Sequence, residues 1–184
     1  MRLRTLLLLL VVGVLGARAA AGTDMDKLTS SNLPDFEKTF TGDLDKVDAA
    51  FAQLSTAKLP LFDEAGHPSG RRKIKDRRQT VTDLRKTLAD FEKSPRGLVV
   101  AMTLSDQTEE LADEVYDVAQ IAYDNDQEEL AMQLSSLLGE VNGDAALLQA
   151  YALDLAAGKE RRLLRLEQDH ASAARNGVER RTPR

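Results

Sequence analysis

The chain has 184 residues, a formal net charge of -5 and no cysteine. The missing thiols exclude disulfides, thiolate metal sites, c-type haem attachment and a lipid-accepting N-terminal cysteine, and the length allows one core of ordinary domain size, about 100 to 200 residues. Net acidity and the absence of aromatic residues among the basic clusters argue against nucleic acid as a partner.

At the N-terminus, Arg2 and Arg4 precede an apolar run from Leu6 to Leu15, followed by small residues from Gly16 to Ala21. This order of basic, apolar and small residues is that of a secretory signal peptide, and the run falls short of the roughly 20 residues that span a bilayer. Cleavage is expected after Ala17-Arg18-Ala19 or Ala19-Ala20-Ala21, and the second is preferred because it opens the mature chain at Gly22 in a polar segment. Residues 1–21 are therefore the expected leader. No second apolar stretch approaches membrane-spanning length, so no stable membrane anchor is expected. Export without disulfides points to a bacterial protein that is periplasmic or secreted after cleavage.

Residues 22–31 show no apolar period and are expected to be flexible. Ser30-Ser31-Asn32 followed by Pro34 then marks a helix entrance, since proline is tolerated in the first turn. Phe36, Phe40, Leu44, Val47, Phe51 and Leu54 follow at steps of 4, 4, 3, 4 and 3, which keeps them on one helix face. Pro60, Gly66, Pro68 and Gly70 place a loop between Ala57 and Gly70.

A second helix is expected from Arg71 to Lys93, with Ile74, Val81, Leu84, Leu88 and Phe91 inward. Ser94-Pro95-Arg96-Gly97 ends it, and Ser94 is placed to cap the next helix with Pro95 in its first turn. The third helix carries Leu104, Leu111, Val115, Val118 and Ala122. Ser105-Asp106 offers a competing start that would split off Leu98 to Leu104.

After Asp124-Asn125-Asp126, the residues Leu130, Leu134, Leu137, Val141, Leu148, Tyr151 and Leu155 keep one phase across a missing member at Asp144. Asn142-Gly143-Asp144 reads locally as a stop and a new cap, yet a loop there would scramble the phase, so one continuous helix is expected. Lys159 to Leu166 prolongs it, and residues 174–184 are expected to form a disordered tail. The fold class is all-α: an up-down-up-down four-helix bundle over residues 32–173 with a charged C-terminal helical extension.

Charge is segregated along the chain. No Lys or Arg occurs between Gly97 and Gly158, whereas Arg71, Arg72, Lys73, Lys75, Arg77 and Arg78 form one basic cluster and Lys159, Arg161, Arg162 and Arg165 a second. The first cluster, together with the acidic Glu110, Asp113, Glu114 and Asp117, is the candidate interaction surface. Its structural alternative is a basic helix neutralised by acidic neighbours within the fold, with an arginine stem packed along the seam.

Chemistry is harder to place. Glu-x-x-His pairs build di-iron sites in helical bundles, but Glu64 and His67 fall in the Gly/Pro loop and Glu167 and His170 in the charged extension. Met102 and Met132 read as core filler rather than haem ligands. The carboxylates at i, i+3 and i+4 spacing read as a solvated face. Neither a calcium loop, a phosphate loop nor a nucleophile elbow is present, so no catalytic, cofactor-binding or metal-binding residue is assigned. The expected function is a non-catalytic interaction or scaffold module engaging an envelope protein partner. A small-ligand or cation-binding sensor bundle is the alternative.

Overall fold

The computed structural model describes residues 27–56 and 71–179, with side chains described over 27–54 and 75–173. The expected leader, the loop after residue 56, the side chains of Arg71 to Ile74 and residues 180–184 lie outside the described residues. Four helices follow in order: α1 (Leu33–Thr56), α2 (Arg71–Lys93), α3 (Leu98–Asp124) and α4 (Glu128–Glu179). No strand occurs among the described residues.

Each helix lies antiparallel to its chain neighbour, as the cross-ties show. Arg85 and Arg78 of α2 reach Asp45 and Asp48 of α1, Arg77 and Thr80 reach Asp117 and Glu114 of α3, and Lys46 reaches Glu140 of α4. Across α1–α2 and α2–α3 one number rises as the other falls, the pairs Lys27–Asp154 and Lys46–Glu140 do the same for α1 and α4, and the short turn at 125–127 folds α4 back along α3. Contacts run round the square, α1 to α2 to α3 to α4 and back, with little across the α1–α3 diagonal, so the bundle is up-down-up-down.

The inward stripes meet in a single core. Phe36, Phe40, Leu44, Val47 and Phe51 of α1, Val81, Leu84 and Leu88 of α2, and Leu111, Val115 and Val118 of α3 are buried, as are Leu130, Leu134, Leu137, Val141 and Leu148 of α4. Phe36 stacks on Phe40 with centroids 5.5 Å apart. The α3–α4 pair has the most extensive contact. Its shared face is rich in small residues, Ala101, Ser105, Ala112, Ala119 and Ala122 on one side and Ala131, Ala145 and Ala152 on the other, so the two backbones approach closely.

Two local expectations need correction. First, α3 begins at Leu98 with Gly97 as its N-cap and no side-chain cap, so neither Ser94 nor Ser105 starts it. The backbone N–H of Gly97 donates to the Ser94 carbonyl at 2.8 Å, closing a tight turn. A Cβ at Gly97 would sit 3.0 Å from that carbonyl and from Val100 Cγ1, so the turn selects glycine by space. Ser105 instead faces inward in mid-helix at 4% exposure.

Second, Met102 and Met132 are not core filler: they are 49% and 66% exposed. The inner face of α3 runs through Ala101, Leu104 and Ser105, and Met102 lies about 100° round the helix from Ala101. As its phase implied, α4 runs unbroken through Asn142-Gly143-Asp144, and the gap in its apolar stripe is occupied by Asp144 itself, buried to 3% exposure.

The ends of the bundle are defined by turns. Before α1, the Asn32 side chain accepts from the Thr29 N–H at 2.6 Å and donates to the Lys27 carbonyl at 2.8 Å. Leu28, in the segment expected to be flexible, is buried in the core. Between α3 and α4, the Asp126 N–H donates to the Tyr123 carbonyl and the Gln127 N–H to the Ala122 carbonyl, the bonding pattern of a Schellman motif. Asp126 takes the left-handed position of that motif, with φ 57°.

Candidate interaction surfaces

Arg77 and Arg78 are adjacent on α2 and so point to opposite seams. Arg77 turns towards α3, its side chain only 15% exposed, and Nη2 donates to Asp117 at 2.8 Å. The stem thus packs along the seam with its head at the rim. Arg78 turns towards α1 and grips Asp48 with two hydrogen bonds, Nε to Oδ1 at 2.7 Å and Nη2 to Oδ2 at 3.1 Å. That grip holds the Asp48 carboxyl below the usual carboxylate range, against a smaller opposing effect of burial.

Arg85 extends the same α1 ladder through Asp45 at 2.6 Å. Lys75 is exposed. The backbone of Arg71, Arg72 and Lys73 forms the first turn of α2, and their side chains lie outside the described residues.

The four acidic candidates on α3 have different surroundings. Glu114 is half-buried, and its Oε1 accepts from the Thr80 hydroxyl at 3.0 Å. Its Oε2 and the neighbouring Arg77 Nη1 are both buried without a hydrogen-bond partner among the described residues. Burial raises the Glu114 pKa, with Thr80 and Arg77 pulling it back and Glu110 and Asp117 pushing it further up. Asp117 is spent on Arg77. Glu110 and Asp113 are exposed and make no ion pair among the described residues.

The structure therefore divides the candidate surface. Arg77, Arg78, Glu114 and Asp117 hold α2 against its two neighbours, while Lys75, Glu110 and Asp113 face solvent. The Asp45 and Asp48 partners on α1 were not among the candidates. Their one signal in the sequence was their position beside the inward Leu44 and Val47, where a reaching arginine meets them.

A second surface lies at the other end of the molecule. Residues Lys159 to Ala173 of α4 are all exposed, because α3 and α2 end at the turn that Lys159 overlooks. Tyr151 fixes the base of this projection: its hydroxyl donates to the Pro95 carbonyl at 3.0 Å, and its ring meets Phe91 edge-on at 5.8 Å. From residue 160 to 179 the helix runs about 30 Å beyond the bundle at about 1.5 Å per residue.

Its leucines, Leu163, Leu164 and Leu166, are each half exposed or more, and Lys159, Arg161, Arg162 and Arg165 make no ion pair among the described residues. Beside its base, Thr87, Ser94, Leu98, Val99, Val100 and Thr103 line an open groove of about 770 Å³. A more polar groove of about 580 Å³ lies at the far end, by Gln53, Gln127 and Gln133.

No group of three or more metal-ligating side chains occurs among the described residues. His170 is exposed on the projecting helix, and His67 lies outside the described residues. No described helix is long and apolar enough to cross a membrane. No protein-family model matches the chain, and neither a curated protein nor a solved structure matches it significantly.

Proposed function

We propose that this protein is an exported, non-catalytic interaction or scaffold module of the bacterial envelope. The observation that carries this reading is the projection of α4. This extension of α4 gains no stability from packing over residues 160 to 173, although helix stability in proteins comes mostly from packing of an apolar face. Here the bundle supplies no such packing beyond Lys159, yet the helix presents leucines among arginines. A partner's surface provides what the bundle does not, and the leader sequence supports the envelope as the place of encounter.

The test is capture from an envelope extract with the mature protein and with the triple variant R161E/R162E/R165E. The wild type should retain a partner at about 0.1 M salt and release it at about 1 M, where the Debye length shrinks from about 10 Å to about 3 Å. The variant should retain none. Identical retention by both proteins at both salts would contradict the reading. The alternative, a small-ligand or cation sensor, predicts instead that thermal stability rises with ligand concentration.

A further inference from the structure

Apart from Met132 and Leu153 on the bundle part of α4, the exposed large apolar side chains fall in two places, one rich in arginine with Glu160, Glu167 and Asp169 among them, the other acidic. Besides Leu163, Leu164 and Leu166 on the projecting helix, four lie on the outward stripe of α3: Val99, Met102, Tyr116 and Tyr123. That stripe runs Val99, Met102, Asp106, Glu109, Asp113, Tyr116, Gln120, Tyr123 at alternating steps of 3 and 4, and every member is exposed. It is one unpartnered helix face, apolar at both ends and acidic in the middle. Asp106, Glu109 and Asp113 make no ion pair among the described residues, and neither do Lys159, Arg161, Arg162 and Arg165.

These two faces cannot meet within one molecule. Lys159 already stands level with Gly97 and Val99 at the start of α3, so the rest of α4 leaves the bundle and leads away from Asp106 to Asp113 unless the helix breaks. We infer that the projecting part of α4 docks on the outward stripe of α3 in a second copy of this chain, arginines against Asp106, Glu109 and Asp113 and the adjoining leucines against one apolar end of that stripe. This rests on the interaction-module reading and names its partner.

Charge selects the pairing. The α3 stripe offers three unneutralised carboxylates, no cation and apolar side chains together, whereas a second projecting helix mixes its Glu160, Glu167 and Asp169 with four cations and is the poorer complement. The contact is heterologous, since one copy gives its projection and the other its stripe. The pair then keeps one projection and one stripe unused, so assembly continues into a ring or an open chain.

Sedimentation velocity of the mature full-length chain over a series of concentrations, at about 0.1 M and about 1 M NaCl, tests this directly. The wild type should associate at low salt and weaken at least tenfold at high salt. R161E/R162E/R165E alone and D106K/E109K/D113K alone should both remain monomeric, and an equimolar mixture should associate again because each reversed face meets its complement. Circular dichroism checks that both variants keep wild-type helicity. Should either triple variant unfold, Leu163→Glu and Glu109→Lys take their places, and each should weaken association at least several-fold.

A wild type that stays monomeric throughout overturns the inference. So does undiminished association of D106K/E109K/D113K, which would mean that projections pair with each other, or binding of wild type and α3 variant alike to anionic phospholipid vesicles without self-association. Partner capture that still depends on Arg161, Arg162 and Arg165 would in those cases leave the interaction-module reading standing.

Discussion

Replacing Arg77 by Glu and, separately, by Met isolates what its charge does in the α2–α3 seam. Both changes remove the 2.8 Å pair with Asp117, but Met keeps an apolar stem in the mostly buried position, whereas Glu places a third carboxylate beside Asp117 and the half-buried Glu114. A partly exposed ion pair is worth about 0.2 to 1 kcal/mol, so Arg77→Met should cost about 1 kcal/mol or less; removing the unpartnered Nη1 offsets part of that. For Glu, two unit charges about 5 Å apart at an effective dielectric constant of about 20 repel by about 3 kcal/mol. Because the new side chain can swing towards solvent, about 2 to 3 kcal/mol of destabilisation is expected in total at low salt. Urea unfolding at about 0.1 M and about 1 M NaCl reads both numbers. The excess of Glu over Met should shrink by at least half at high salt, as the screening length drops to about 3 Å. Equal losses for the two variants, or an excess indifferent to salt, would refute the account of the seam as an electrostatic tie.

Leu134→Ala removes a fully buried side chain and should destabilise by about 2 to 5 kcal/mol in the same assay; a loss under about 0.5 kcal/mol would put the wrong face of α4 inward. Asp126→Gly should raise stability by about 0.5 to 1 kcal/mol, since Asp126 is held at φ 57° in the left-handed position that glycine occupies without a Cβ clash, and a destabilised variant would speak against that turn. Because burial raises the Glu114 pKa above its unfolded value, the protonated folded form is favoured and this group's contribution to stability is lost as pH rises through the folded pKa; Glu114→Gln should therefore gain stability relative to wild type as pH rises above the ordinary glutamate value of 4.5. A pH-independent difference would remove Glu114 from the account. Asp48 works in the opposite direction: the Arg78 hydrogen bonds lower its pKa, so its contribution is present above about pH 4 and fades as pH falls through the folded value, and Asp48→Asn should flatten that acid limb of the stability profile.

The bundle was legible because its signal is redundant. Every heptad of α1, and of α4 as far as Leu155, repeats the same phase, so a single polar interruption at Asn142-Gly143-Asp144 could not reset it, and the helix runs through. What the pattern concealed was that a carboxylate can occupy the inward position, as Asp144 does. Met102 and Met132 were misplaced by residue type, although phase alone would have set them outside: α3 faces inward through alanine, serine and threonine, and its methionine is left over. Turn chemistry was less readable, since Ser94 has the right identity for a cap while α3 starts at Leu98 with Gly97 as its cap, where a Cβ would sit 3.0 Å from the Ser94 carbonyl.

The candidate surface was half legible. Runs of like charge mark Arg77 and Arg78 equally, but adjacent residues on a helix diverge by about 100°, and only the packing shows that one meets α3 and the other α1. Glu114 could not be told from Glu110 by composition, because what separates them is one seam's worth of burial. The second basic cluster was visible from the sequence, yet its isolation was not. That depends on where α2 and α3 stop.

On the proposed function, the first half of α4 serves the core and its second half a partner. Amide hydrogen–deuterium exchange of the mature full-length chain measures this directly, segment by segment, at about 1 M NaCl and again at about 0.1 M. At high salt, amides from Leu134 to Tyr151 should exchange slowly at the rate set by global opening, while those from Arg161 to Ala173 exchange orders of magnitude faster. At low salt and high protein concentration the second group should become protected. Slow exchange of Arg161 to Ala173 in a monomer at high salt, indistinguishable from Leu134 to Tyr151, would show that the projecting helix is held by its own chain and would contradict the account.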